Sequence, residues 1–251
     1  MGKSAVILAG GEGKRMKSLK PKALSMVLDK PMLRWVIDSV TNAGITNICV
    51  VTGFGKNYIE DYLTQYTNET GIPVETAFQA ERHGTGHAVM MCRDFLCRNQ
   101  GDVVVLNGDA PFVDSNTILN AFQLHKSLLS SAAVISAKVD NPFGYGRIIR
   151  NNNGCVSAIV EEKDTDDLQK CINEVNSGGY WFNTQDLLDA LSRITNDNAS
   201  GEFYLTDTVS ILISMGKNVC AYTAQSPFTV LGANDPDQLR QLNELAKNMN
   251  I

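Results

Sequence analysis

The stretch SAVILAGGEGKRM, residues 4–16, decides the fold. Its first part, Ser4–Ala9, is a short apolar run. Such a run marks a strand covered on both faces, because a strand with one wet face alternates apolar and polar side chains. Gly10, Gly11 and Gly13 follow at once. Glycines directly after a buried strand let the backbone approach an anion closely and offer it N–H groups. Lys14, Arg15 and Lys22 add positive charge nearby. These residues leave two readings open, a cradle for a triphosphate or a plain strand-to-loop turn. No Gly-Lys-Ser/Thr closes the loop, so it is not a Walker A motif. Met16 stands where a dinucleotide fingerprint needs its third glycine.

Outward from that segment, strand-like and helix-like patterns alternate. Pro31–Ala43 places Met32, Leu33, Trp35, Val36, Ile37 and Val40 on one side of a helix. Asn47–Thr52 reads as a strand, Lys56–Tyr66 as a helix and Pro73–Phe78 as a strand. A helix from Gly86 to Phe95, a buried strand at Asp102–Leu106 and a helix from an N-cap at Ser115 to Leu129 follow. That alternation predicts an α/β fold with a mostly parallel sheet flanked by helices, Rossmann-like in its winding. Beyond Ser131 the pattern becomes β-rich, with short strands at Ala132–Val139, Gly146–Arg150 and Val156–Val160. Helices return at Thr184–Ile194, Leu205–Met215 and Asp235–Met249, the last with Asp235 as N-cap and Pro236 at the first helical position. No repeat or linker divides the chain. One domain over residues 1–251 with a β-rich lobe is expected.

The bulk properties fit a soluble enzyme. No apolar run reaches 18 residues, so no membrane span is expected, and the N-terminus lacks the pattern of a signal peptide. Six scattered cysteines without a C-x-x-C pair fit reduced thiols, and a cytoplasmic location follows as the expectation. A net charge of −5 argues against a nucleic-acid surface while leaving room for a local phosphate site.

Asp109 lies just past the apolar run Val103–Leu106. Open α/β sheets bind ligands beyond the carboxyl ends of their strands, and a carboxylate there can hold a hard cation such as Mg²⁺. The competing reading is a carboxylate that caps the following loop. Gln79-Ala80-Glu81-Arg82-His83-Gly84-Thr85 combines amide, hydroxyl and glycine donors suited to the edge of a flat base. His83 and His87 lack a third zinc ligand and suit packing or hydrogen bonding. No role is evident for His125. The segments around Gly146, Glu161 and Asn176 read as turns or charged surface on their own.

Taken together, LAGGEGKRMKSLKPKAL, FQAERHGTGHAV, LNGDAPF, NPFGYGRIIR, IVEEKD, EVNSGGYWF, GEFYLTD and VLGAND resemble the uridylyltransferase (pyrophosphorylase) domain of the bacterial bifunctional UDP-N-acetylglucosamine pyrophosphorylase/glucosamine-1-phosphate acetyltransferases. The segments keep that family's order over nearly the whole chain. The resemblance implies a nucleotidyltransferase fold of the GT-A-like kind, with residues 1–130 holding the nucleotide and 131–251 the sugar. It implies UTP and a sugar 1-phosphate as substrates and Mg²⁺ as cofactor. Leu8, Ala9, Gly10, Gly11 and Gly13 would line the nucleotide pocket, with Arg15 and Lys22 on the phosphates. Gln79, Gly84 and Thr85 would read the uracil. Gly146, Glu161 and Asn176 would hold the sugar, and Asp109 and Asn234 the metal. Gly10 departs from the usual Ala-Ala-Gly of that family. The family's left-handed β-helix has no counterpart in these residues, so neither acetyltransferase activity nor the trimer built by that helix is expected. A sister enzyme with another base or sugar is the alternative, and a non-catalytic nucleotide-sugar sensor the reading from a different class.

Overall fold

The computed structural model describes residues 2–16, 18 and 20–249. In chain order its elements are β1 (Gly2–Leu8), β2 (Met26–Val27), β3 (Lys30–Pro31), α1 (Met32–Asn42), β4 (Asn47–Thr52), α2 (Lys56–Thr70), β5 (Val74–Phe78), α3 (Thr85–Met90), α4 (Arg93–Arg98), β6 (Gly101–Asn107) and α5 (Ser115–Ser127). There follow β7 (Ala132–Lys138), β8 (Arg147–Arg150), β9 (Val156–Val160), β10 (Glu174–Asn183), α6 (Thr184–Leu191), α7 (Asp207–Ser214), β11 (Val219–Thr223) and α8 (Pro236–Asn248).

The main sheet runs β11-β7-β10-β6-β1-β4-β5, with β8 and β9 attached beside β10. Strands β5, β4, β1 and β6 are mutually parallel, as the alternating pattern predicts. β10 runs against both β6 and β7. Its reversal decides where the site forms, because the start of β10 lies level with the carboxyl ends of β6 and β1.

Both faces of the sheet are dry, which is why its central strands read as unbroken apolar runs. Val6, Val103, Val105 and Phe182 pack on one face against Leu96 of α4, Leu187 of α6 and Val209 of α7. Ala5, Ile7, Val104 and Leu106 pack on the other against Val36 of α1, Ile59 of α2 and Ile118 of α5. Trp181 is fully buried on that second face, and its indole N–H donates to the Ile118 carbonyl at 2.9 Å.

A third, smaller core seats α8. Leu242 and Ala246 join Val27, Met32, Phe112 and Ala233. The Asn243 side-chain oxygen accepts from the Leu28 N–H at 2.8 Å, and its amide donates to the Met26 carbonyl at 3.2 Å. The last helix is thereby docked on the β2–β3 hairpin, close behind Lys22 in sequence.

Several elements differ from their sequence reading. The segment Asn176–Gly179 is not a turn. It lies inside β10, where the register against β7 slips between Asn176 and Gly179. Gly178 takes φ +76 at that irregularity, and a Cβ there would sit 2.1 Å from the Asn107 amide nitrogen. Glycine is thus required by backbone and neighbour alike, and paired glycines hid a strand. The expected helix 86–95 is two short helices that break at Met91-Cys92. The N-cap of α5 is Asp114 rather than Ser115, because the Asp114 carboxylate accepts from the Thr117 N–H at 2.7 Å. Asp114→Ala is therefore expected to cost about 1 kcal/mol in denaturant unfolding, the usual worth of a cap. Ser115→Ala, by contrast, should leave the midpoint nearly unchanged.

His125 acquires a role. It is buried between the Asp102 carboxylate at 3.0 Å and the Ser130 hydroxyl at 2.9 Å, while the Lys126 ammonium reaches Asp102 at 3.0 Å. Burial alone would raise the Asp102 carboxyl, but the hydrogen bonds from His125 and Lys126 outweigh it and hold it below its ordinary value. A carboxyl lowered in the folded state stabilises above its unfolded pKa of about 3.9 and loses that contribution as pH falls through its folded value. Asp102→Asn should accordingly flatten the decline of Tm below about pH 4, in thermal melts run across a pH series.

Candidate functional site

A cleft of about 520 Å³ opens at the carboxyl ends of β1 and β6, lined by Leu8, Asn107, Asp109 and the first part of β10. This is the edge at which open α/β sheets gather their ligands. Lys22, in a short 3-10 turn (Lys22–Leu24), extends into the cleft. Its ammonium forms an ion pair with the Asp109 carboxylate and donates to the Asn234 side-chain oxygen at 3.0 Å, across 212 residues of sequence. Two hard oxygen donors from distant segments therefore face one cation. Asn234 is itself fixed by its backbone N–H, which donates to the Gln238 side-chain oxygen at 2.8 Å in the first turn of α8. Asp235 caps that turn by accepting from the Gln238 N–H at 2.8 Å, as its sequence pattern predicts.

Gly146, Glu161 and Asn176 line the same cleft. The Asn176 N–H donates to the Gly146 carbonyl at 2.8 Å, and its side-chain amide donates to the Tyr180 hydroxyl at 2.6 Å. Glu161 accepts from the Thr206 hydroxyl at 3.1 Å. Burial pushes the Glu161 carboxyl up, and Asp207 and Asp164 nearby push the same way against that hydrogen bond. A Cβ at position 146 would lie 3.4 Å from the Glu161 carboxylate, so Gly146 keeps the wall open beside it.

The sequence model of the family described as nucleotidyl transferase matches residues 4–227. The chain belongs to the nucleotidyl transferase family. Among curated relatives, the bifunctional protein GlmU of Acetivibrio thermocellus is 42% identical over 243 residues, which cover 97% of this chain and 51% of the relative. GlmU of Clostridium beijerinckii is 42% identical over 248 residues, covering 99% of this chain and 53% of the relative. The chain thus spans about half the length of the curated relatives it matches. A solved structure from Bacillus anthracis, described as a candidate glucose-1-phosphate thymidylyltransferase in complex with sucrose, shares the fold at a TM-score of 0.81 and 22% identity, covering 99% of this chain and 97% of that one.

In this nucleotidyltransferase the residues singled out from sequence fall into two groups. Leu8, Arg15, Lys22, Thr85, Asp109, Gly146, Glu161, Asn176 and Asn234 all line the one cleft. Ala9, Gly10, Gly11, Gly13, Gln79 and Gly84 are not among its lining residues. Ala9 is buried, its N–H donating to the Val51 carbonyl at 2.9 Å. Gly10 lies against the Gln79 side chain, while Gly11 and Gly13 lie against Lys22. The side chain of Lys14 lies outside the described residues. The Gln79 amide is occupied within the fold: it donates to the Gly84 carbonyl at 3.0 Å and meets the His87 Nδ1 at 3.1 Å. Burial lowers the His87 pKa and the neighbouring His83 lowers it further, which favours a neutral ring able to accept from that amide. Thr85 accepts from the Leu205 N–H at 3.0 Å, tying α3 to the cleft wall.

Sequence reasoning missed Asn107, Phe143, Tyr180, Thr206 and Gln238 in the lining. Asn107 carried a signal, being the first polar residue after an apolar strand and next but one to Asp109. Tyr180 carries none, since it follows the glycine pair Gly178-Gly179 that reads as a turn. No group of three His, Cys, Asp or Glu side chains suited to a metal occurs among the described residues. No helix among them is long and apolar enough to cross a membrane.

Proposed function

We propose that the protein transfers UMP from UTP to N-acetylglucosamine 1-phosphate, releasing pyrophosphate and UDP-N-acetylglucosamine. The observation that carries this reading is the convergence of Lys22, Asp109 and Asn234 in a cleft that Gly146, Glu161 and Asn176 also line. The similarity to GlmU proteins supports the choice of base and sugar. Residues 1–130 supply the nucleotide side and 131–251 the sugar side.

Asp109 and Asn234 offer a carboxylate and an amide oxygen, the hard donors Mg²⁺ takes in small number alongside substrate phosphates, so the residues fit that ion. Bound there, Mg²⁺ would neutralise charge on the phosphate oxygens. The chain's own part is positioning. Lys22 and Arg15 stand against the phosphates, and the glycines after β1 bring backbone N–H groups close. The sugar phosphate oxygen, already ionised, attacks the α-phosphorus in line as pyrophosphate leaves, so no general base is required. Glu161 and Asn176 hold sugar hydroxyls, while Gln79, Gly84 and Thr85 shape the base pocket.

Pyrophosphate release measured across four nucleoside triphosphates and a panel of sugar 1-phosphates tests the reading. UTP with N-acetylglucosamine 1-phosphate should give the highest kcat/KM. A higher value with TTP and glucose 1-phosphate would reassign the enzyme to a sister specificity. Tight nucleotide-sugar binding in calorimetry without turnover would leave only a sensor.

A further inference from the structure

Phe143 is 77% exposed and yet lines the cleft. A phenylalanine left in water forgoes roughly 1.5–3 kcal/mol of burial, so a ligand in the cleft that covered this ring would gain from it. Its backbone is firmly held. The Phe143 N–H donates to the Asn141 side chain at 3.1 Å, and the Tyr145 N–H to the Pro142 carbonyl at 3.2 Å. The Gly144 N–H donates to the Glu162 carboxylate at 3.0 Å, and the buried Arg147 guanidinium grips the same carboxylate at 2.7 Å. Burial would raise Glu162, but Arg147 and the Gly144 N–H keep it below its ordinary value and therefore charged. The loop backbone that carries the ring is thereby anchored.

The loop that carries it ends at Gly146, the residue bonded to Asn176 and facing Glu161. Phe143 is therefore joined through Gly146 to Glu161 and Asn176, and Tyr145 and Tyr180 line the cleft with it. A pyranose presents hydroxyls at its edge and a C–H face, so carboxylate and amide groups beside an exposed aromatic ring match both of its surfaces. We infer that Phe143 covers the C–H face of the sugar ring of the incoming sugar 1-phosphate and helps to set which sugars are accepted. This rests on the function proposed above.

Steady-state pyrophosphate release by Phe143→Ala, Phe143→Leu and Phe143→Tyr decides it. The alanine variant should raise KM for the sugar 1-phosphate roughly 3- to 10-fold, the range of one aromatic contact, with KM for UTP unchanged. The tyrosine variant should restore the wild-type value, and leucine should fall between them. Because the side chain is exposed, the melting temperature should not move. Equal KM values for the sugar phosphate in all variants overturn the inference, and so does a rise confined to UTP, which would put the ring on the base. If the wild-type enzyme releases no pyrophosphate with any sugar 1-phosphate, the functional reading fails and the inference with it. A fully active wild type with an indifferent alanine variant sinks the inference alone.

Discussion

Asp109→Ala is expected to lower kcat for pyrophosphate release about 10²–10³-fold, the scale of one lost preorganised group at a developing charge. The carboxylate is paired with Lys22, and both side chains are mostly shielded, at 16% and 21% exposure. Removing it strips one of the two oxygen acceptors around the Lys22 ammonium and leaves Lys22 with Asn234 alone. Lys22→Ala should fall by a similar factor. Because the two side chains share one contact, the double variant should be scarcely worse than either single one. Asp109 follows a strand rather than filling a core, so the fold should survive, as circular dichroism would show. Near-normal turnover in Asp109→Ala would remove that residue from the chemistry. Fully additive losses in the double variant would mean the two act separately.

Gly84→Ala should be strongly destabilising. Gly84 sits at φ +105, and a Cβ there would lie 2.5 Å from the Phe203 carbonyl oxygen and 2.9 Å from its nitrogen. Both are backbone atoms, which cannot rotate aside. Backbone strain of ~1–3 kcal/mol and overpacking of ~1–3 kcal/mol give a loss of roughly 2–6 kcal/mol. In a domain of this size that lowers Tm by about 5–20 °C. The loss should extend to activity, since the displaced segment continues into Leu205 and Thr206 of the cleft wall. Gly84 also accepts from Gln79, so that side chain would move too. A calorimetric melt within a degree or two of wild type would mean that the Phe203 segment yields freely.

What the sequence disclosed follows from where water is excluded. β1, β4 and β6 are readable because both their faces are dry, so their central residues are apolar. β10 is equally buried but was unreadable, since Gly178 and Gly179 serve a bulge and a close approach to Asn107 rather than side-chain packing. The cap of α5 was placed one residue late because aspartate and serine stand side by side, and only geometry shows which oxygen meets Thr117. In the cleft, Asp109 announced itself by following an apolar strand. Asn234 could not, because its significance arises from an encounter with Lys22 across 212 residues, which no local pattern encodes and which only the family resemblance anticipated. Gln79 illustrates the reverse: its amide looked suited to a base, but both of its donors are engaged by the protein itself.

The docking of α8 on the β2–β3 hairpin carries a consequence for synthesis. Every strand of the main sheet lies before residue 224, so a nascent chain released to that point can already lay down the whole sheet. It would still lack Asn234 and the Asn243 clasp on Met26 and Leu28. Lys22 and Asn234, far apart in sequence, thus meet at the cleft. A chain cut short before residue 234 would keep every strand of the main sheet while lacking the contact to Lys22 that the proposed chemistry uses.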